Sequence, residues 1–394
     1  MILGFHYHIP AYQRNGVIYT SGFLGVFLDS MAMQVHELIC FMHTPLPSED
    51  FMMDYALKSK NIKLVSMGIH ASVPRRLLTA KQTIRAILPS LKQLDILLIR
   101  CPTPLLPALS GVRGLKKTFL IVGDYQKSSQ DLRQSFFRKK GIQLWATLNK
   151  WQQDRVVKNS LVFVNNGLIY QELKVFVKNL HLIKTTTLQR ADFFFREDTC
   201  QSERINLLYT GRLDLSKGLQ EMIESLAVIR SKGIEASLHF VGWEEKSETT
   251  VTDLLLEKAA QLNLAEYVLF HGKKQIGTEL NSFYRMADIF IIGSKVNEGF
   301  PRTIWEAFAN SVPVIASSVG SIPFFLRDTV DVLLIKPGSI DEMTKAILRL
   351  IDDRELRKLL IRNAYHVAES NTLDKQTEIM TKTIADYLIS PEDE

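Results

Sequence analysis

The sequence predicts an α/β protein of parallel sheets with crossover helices, divided into two or three domains. Three observations carry that expectation. Residues 1–200 alternate short apolar runs with amphipathic segments, the pattern of strands joined by helices. Residues 289–317 run strand, glycine-containing loop, helix and strand in direct succession. A length of 394 residues and an apolar content of 46 % ask for packed domains of ordinary size rather than disorder.

In the first half, the apolar runs place strands at Ile2–Phe5, Val35–Phe41, Ile62–Ser66, Ile96–Ile99, Thr118–Val122 and Leu161–Val164. A loop from Pro10 to Gly22 leads into a helix over Phe23–Met33. His6, His8, His36, His43 and His70 fall near strand ends, where a lone histidine is normally a packed or capping residue. Asp124 follows the strand that ends at Val122, where the carboxyl end of a strand meets the crevice of an open sheet; it either orients a ligand or opens a turn. The stretch Thr185–Glu203 lacks helical periodicity and reads as an interdomain hinge.

The second half opens with a strand over Ile205–Thr210 and the turn Gly211-Arg212-Leu213, then Lys217-Gly218. One planar guanidinium fork and one mobile ammonium at a strand-to-helix turn suit a diphosphate. A strand at Ser237–Gly242, a helix at Val251–Leu262, a strand at Val268–His271, a helix at Thr278–Arg285 and a strand at Asp288–Ile292 follow. The next loop carries Glu298, Gly299 and Phe300. Pro301 is suited to a first helical position because its φ is already helical. The N–H groups of Arg302, Thr303 and Ile304 are then expected without intrahelical partners, at the helix end that favours an anion. Glu298 and Glu306 bracket that seat, with a rise of roughly 7.5 Å from Pro301 to Glu306. Three helical segments close the chain.

Charge is split between the halves. Residues 1–200 hold 26 Lys and Arg against 13 Asp and Glu, a net +13; the remainder holds 22 against 29, a net −7. The basic half therefore calls for an anionic partner. Within it, residues 127–158 place eight cations among Phe136, Phe137, Trp145 and Trp151, as interfacial anchors do. The alternatives are an ordinary solvated helix face and nucleic acid, the rival partner for a basic patch, but no nucleic-acid-binding motif accompanies it. Three scattered cysteines suit a reducing compartment. The opening MILGFHYHIP lacks the regions of a signal peptide, and no apolar run reaches spanning length. A cytoplasmic protein, peripheral at the inner face of the membrane, is expected.

The run Ser294, Glu298-Gly299-Phe300-Pro301, Trp305-Glu306-Ala307 and Val312-Pro313-Val314-Ile315-Ala316-Ser317 resembles the retaining glycosyltransferases of family 4. Their signature is two glutamates eight positions apart. The resemblance is firm over about 205–370 and architectural over 1–195. It implies the GT-B fold, two Rossmann-like domains with parallel sheets facing across a cleft: residues 1–195 for the acceptor, 196–375 for a nucleotide sugar, and 376–394 crossing back to the first. It implies transfer of a sugar from a nucleotide diphosphate sugar to a saccharide or lipid-linked acceptor, with no cofactor and no metal. Glu298, Arg212, Lys217 and Asp124 would be catalytic. Donor contacts would come from Gly22, Gly211, Gly272, Lys273, Gly299, Phe300, Pro301, Arg302, Thr303, Ile304 and Glu306 beside Arg212, Lys217 and Glu298. The sequence departs from the family at Gly123-Asp124, where a histidine is usual, and at Ser21-Gly22, where two glycines are usual. Further departures are Ser311, Ser321 and Val332, each in place of a glycine. A sugar-nucleotide epimerase and a non-catalytic scaffold subunit are the rival readings.

Overall fold

The computed structural model describes residues 1–123, 136–244, 250–296 and 299–389. The chain divides into two units: residues 1–185 with the C-terminal segment from Leu373, and Thr186–Thr372.

The first unit runs β1 (Ile2–His6), β2 (Tyr12–Arg14), β3 (Val17–Thr20), α1 (Gly22–Ala32), β4 (Glu37–Thr44), β5 (Tyr55–Ala56) and β6 (Ile62–Ile69). It continues with α2 (Val73–Leu91), β7 (Ile96–Cys101), α3 (Leu106–Ser110), β8 (Lys116–Ile121), α4 (Phe136–Val157), β9 (Leu161–Val164), α5 (Gly167–Leu173) and β10 (Asn179–Leu182). Seven strands form one parallel sheet in the order β10-β9-β8-β7-β1-β4-β6. Buried runs such as Ile96–Cys101 are apolar almost without alternation because helices cover both faces.

The expected loop from Pro10 to Gly22 is instead a hairpin. Asn15 and Gly16 both take positive φ, 51° and 79°, and turn β2 back on β3, which pairs in turn with β5. Asn-Gly is the preferred pair for that turn, so the signal was present. β10 was missed because its exposed and half-buried residues make only an edge strand.

The second unit runs β11 (Ile205–Arg212), α6 (Leu219–Ser231), β12 (Ala236–Trp243), α7 (Val251–Gln261), β13 (Val268–Phe270), α8 (Thr278–Met286), β14 (Ile289–Ile292) and α9 (Arg302–Ala309). After it come β15 (Val314–Ser317), α10 (Ile322–Phe325), β16 (Leu333–Ile335), α11 (Ile340–Asp352) and α12 (Arg354–Glu369). Its six parallel strands are ordered β13-β12-β11-β14-β15-β16. The stretch 186–203 is tied along this unit: Phe194 N–H donates to the Ala309 carbonyl at 2.9 Å, and Asp198 accepts from Arg357 Nε at 2.8 Å. Ser311 takes the left-handed conformation (φ 54°), and its hydroxyl donates to the Phe194 carbonyl at 3.1 Å, which offsets part of the strain.

The last helix, α13 (Leu373–Ile389), packs with the first unit, burying Met380 and Ile384 in the core beneath α1. Ser30 on α1 and Thr377 on α13 share a hydroxyl hydrogen bond of 2.7 Å.

Candidate functional site

In the second unit the strand order reverses between β11 and β14, and ligands of open α/β sheets settle outside the carboxyl ends of strands at such a point. β11 ends there on Gly211-Arg212. Arg212 Nη2 pairs with Asp214 Oδ2 at 3.0 Å. Asp214 also accepts from the N–H of Ser216 at 2.9 Å and from its hydroxyl at 2.7 Å. Burial pushes the Asp214 carboxyl up, but the Ser216 hydrogen bonds and the charges of Arg212 and Lys217 outweigh it and hold it below the usual range.

The turn bearing Lys217 is clamped to the exit of β14. Gly218 sits at φ 73°, and a Cβ there would run into the Gly293 carbonyl oxygen. Only glycine allows that approach without strain. Lys295 N–H donates to the Ser216 carbonyl at 2.7 Å, and Lys295 Nζ pairs with Glu221 at 2.9 Å. The two cations expected for a diphosphate thus belong to one turn pinned at the switch point.

α9 starts at the same edge, one residue later than expected. Pro301 is its N-cap (φ −67°, ψ 117°), not its first helical residue. The Ile304 N–H donates to the Pro301 carbonyl at 3.2 Å, so it is not among the groups awaiting a partner. The Thr303 hydroxyl is buried with no hydrogen-bond partner among the described residues. Phe300 stacks on Trp305 with ring centroids 4.2 Å apart, which commits its side chain to the core and leaves Gly299 and the backbone to line the edge.

Glu306 points inward from α9 and is buried. Its Oε1 accepts from Thr187 at 3.2 Å and its Oε2 from the Tyr284 hydroxyl at 2.7 Å, which in turn lies 2.5 Å from Thr210 Oγ1. Burial, then the nearby Glu306 charge, pushes the Tyr284 phenol well above its ordinary range. On the other flank, Gly272 (φ 67°) and Lys273 form an exposed turn after β13, and the Gly272 carbonyl accepts from Gly242 N–H at 3.0 Å.

The structure therefore brings Gly211, Arg212, Lys217, Gly272, Lys273, Gly299, Phe300, Pro301, Arg302, Thr303 and Ile304 to the carboxyl edge of one sheet, with Glu306 just beneath it. Gly22 belongs to the other unit, where it opens α1 and its N–H donates to Asp54 Oδ1 at 2.7 Å. Glu298 and Asp124 lie outside the described residues. Sequence reasoning missed Asp214, Tyr284 and Thr187. Asp214-Leu215-Ser216 carries a turn signal that could have been found; the other two meet Glu306 only through the fold.

Residues 190–367 match the family described as Glycosyl transferases group 1. The chain is 27 % identical to Protein CapJ of Staphylococcus aureus over 282 residues, covering 71 % of this chain and 68 % of that protein. It is 31 % identical to the D-inositol 3-phosphate glycosyltransferase of Actinosynnema mirum over 176 residues, covering 44 % of this chain and 42 % of that one. Apart from CapJ, the match to these first relatives spans about two fifths of their length. Anabaena Alr3699/HepE, solved in complex with UDP, superposes with a TM-score of 0.73 at 15 % identity, covering 98 % of this chain and 99 % of that one. The likeness at that identity is one of fold: the protein has the two-unit GT-B architecture.

Proposed function

We propose that the chain is a retaining glycosyltransferase, of hexosyltransferase type, that moves a sugar from a nucleotide diphosphate sugar to a saccharide or lipid-linked acceptor. The observation that carries this reading is the clamped Arg212–Lys217 turn beside the start of α9, at the switch point of the very unit that matches the family. Two cations and a helix start at the departing diphosphate stabilise the charge that develops as the glycosidic bond breaks. Arg212 and Lys217 take the diphosphate, Glu306 the ribose hydroxyls, and the Gly272-Lys273 turn the base. Glu298 is assigned the sugar hydroxyls, and Asp124 a place beside the acceptor, on sequence grounds alone. The reaction needs no metal. HepE binds UDP, which favours a UDP-sugar as donor. A panel of nucleotide sugars, with release of nucleotide as the readout, tests the reading; a chain that releases none with any acceptor is instead a scaffold subunit.

We further assign the product to cell-surface polysaccharide and the site of action to the inner face of the membrane. CapJ and the lipopolysaccharide 1,2-N-acetylglucosaminetransferase of Salmonella typhimurium are among the relatives. No helix among the described residues is long and apolar enough to cross a membrane. α4, however, leaves Leu144, Leu148 and Trp151 exposed at spacings of four and three, one apolar stripe on a helix that also carries Arg138, Lys139, Lys140, Lys150 and Arg155. Exposed apolar side chains beside these cations support docking to an anionic bilayer.

A further inference from the structure

The first unit carries a second built edge. Its strand order reverses between β7 and β1, and four neighbouring strands, β7, β1, β4 and β6, end side by side. They deliver Arg100 from β7, His6 and then His8 from β1, His43 from β4 and His70 directly after β6. α2 leaves β6 at this edge and brings Arg76 in its first turn. Arg100 is 7 % exposed and His43 is 3 % exposed.

Their hydrogen bonds are incomplete in a specific way. His43 Nδ1–H donates to the Gly68 carbonyl at 3.3 Å and His70 Nδ1–H to Glu49 Oε1 at 2.6 Å. That fixes the tautomer of His43 and leaves a lone pair on its Nε2; the Nε2 atoms of His43 and His70 are both buried without a partner, on rings 5.8 Å apart. His8 Nδ1 is buried and unmet as well. Arg100 stacks its guanidinium on the Tyr7 ring, 4.4 Å from the centroid; its Nε is buried and unmet, and no carboxylate pairs with it among the described residues. His6 takes no part, since Phe41 O at 3.0 Å and Thr103 Oγ1 at 2.9 Å occupy both of its nitrogens. The described charged and titratable groups here are Arg76, Arg100, Tyr7, His6, His8, His43, His70 and the carboxylate of Glu49. Burial, then the charge of Arg76, lowers His8 and His43 to about 4, which keeps both imidazoles neutral near pH 7.

Buried lone pairs require a donor, and a buried guanidinium requires an acceptor. A phosphate monoester carrying one proton supplies both, because its second pKa lies near 6. An ionised carboxylate or a sulfate supplies only acceptors. We propose that the carboxyl edge of β7, β1, β4 and β6 is a phosphate site, in which Arg100 binds phosphate oxygens and the Nε2 atom of His43 accepts from the phosphate hydroxyl, and that the phosphate is borne by the acceptor. Only that last clause rests on the transferase reading. Binding of the dianion takes up one proton from solvent.

Calorimetry on the full chain at pH 7.5, in two buffers of different ionisation heat, tests this with inorganic phosphate, glycerol 3-phosphate and sulfate. Glycerol 3-phosphate is expected to bind with uptake of a proton, and sulfate at least tenfold more weakly. Arg100→Gln should weaken phosphate binding at least tenfold, and His43→Gln should abolish both proton uptake and the preference over sulfate. Where a variant fails to fold, shifts of the wild-type imidazole C2 protons on adding phosphate read the same contact, and an unmoved His43 resonance overturns the site. Binding that survives Arg100→Gln but is lost in Arg212→Ala places the anion in the second unit and overturns the site. Binding of inorganic phosphate without the ester overturns the acceptor assignment. Nucleotide release from a donor sugar, measured alongside, reports separately on the transferase reading.

Discussion

The Tyr284 hydroxyl donates to Glu306 Oε2 at 2.7 Å, joining α8 to α9 beneath the carboxyl edge of the second sheet. With Thr187 on Oε1, the carboxylate is aimed by protein groups on both oxygens. Tyr284→Phe removes one of them and leaves Thr210 without its partner. It should cost about 1–3 kcal/mol of stability for a lost buried hydrogen bond to a charged group. Urea unfolding measures this, and nucleotide titration should show a parallel loss of affinity. Unchanged stability and affinity would mean that the contact aims nothing.

Gly218→Ala should be more damaging than its size implies. The new methyl meets the Gly293 carbonyl oxygen, and φ 73° is strained for any L side chain by about 1–2 kcal/mol before the clash is counted. A fall in melting temperature with a larger fall in diphosphate affinity is expected. Loss of stability with diphosphate affinity intact would detach Lys217 from that ligand.

Acid should destabilise the fold from about pH 6.5 downward. Burial holds His6 at about 3 and His8, His43 and His239 at about 4, against 6.5 in the unfolded chain. Between those values the unfolded state binds protons that the folded state does not, so stability present above pH 6.5 is lost as pH falls towards 4. Urea unfolding at pH 7 and pH 5 checks the sign, and His239→Gln should flatten the slope. Equal stability at the two values would contradict it.

Docking through α4 should require both kinds of side chain. Each Lys or Arg near an anionic leaflet contributes about 1 kcal/mol. Co-sedimentation with anionic vesicles should fall with salt, fall when Arg138, Lys139 and Lys140 become Ser, and fall again with Trp151→Ser. Equal partitioning onto neutral vesicles, or none onto anionic ones, leaves the membrane assignment unsupported.

The strands of both sheets, the edge strand β10 apart, were legible because a parallel strand buried on two faces is a bare apolar run, as in Ile289–Ile292 and Leu161–Val164. The Gly211-Arg212 and Lys217-Gly218 turn was legible because glycine and charge punctuate a strand end. What escaped was set by tertiary contacts. Nothing near Tyr284 or Thr187 in sequence announces Glu306, whereas Asp214 sits in a local Asp-Leu-Ser turn whose signal was readable. The histidines at strand ends looked like packing residues one at a time. Only the strand order β7-β1-β4-β6 brings His8, His43 and His70 to the same sheet edge as Arg100.

In the proposed transferase the second unit grips the diphosphate of a sugar donor through Arg212 and Lys217 while Glu306 holds the ribose. The most direct test is the affinity of UDP for wild type, Arg212→Ala, Lys217→Ala and Glu306→Gln, measured by calorimetry with GDP and ADP as alternatives should UDP not bind. Each lost charged hydrogen bond is worth about 1.5–3 kcal/mol, so every variant should bind roughly ten- to a hundredfold more weakly while keeping its fold. Wild-type affinity in all three, or no nucleoside diphosphate bound by the wild type, would remove Arg212, Lys217 and Glu306 from a donor site.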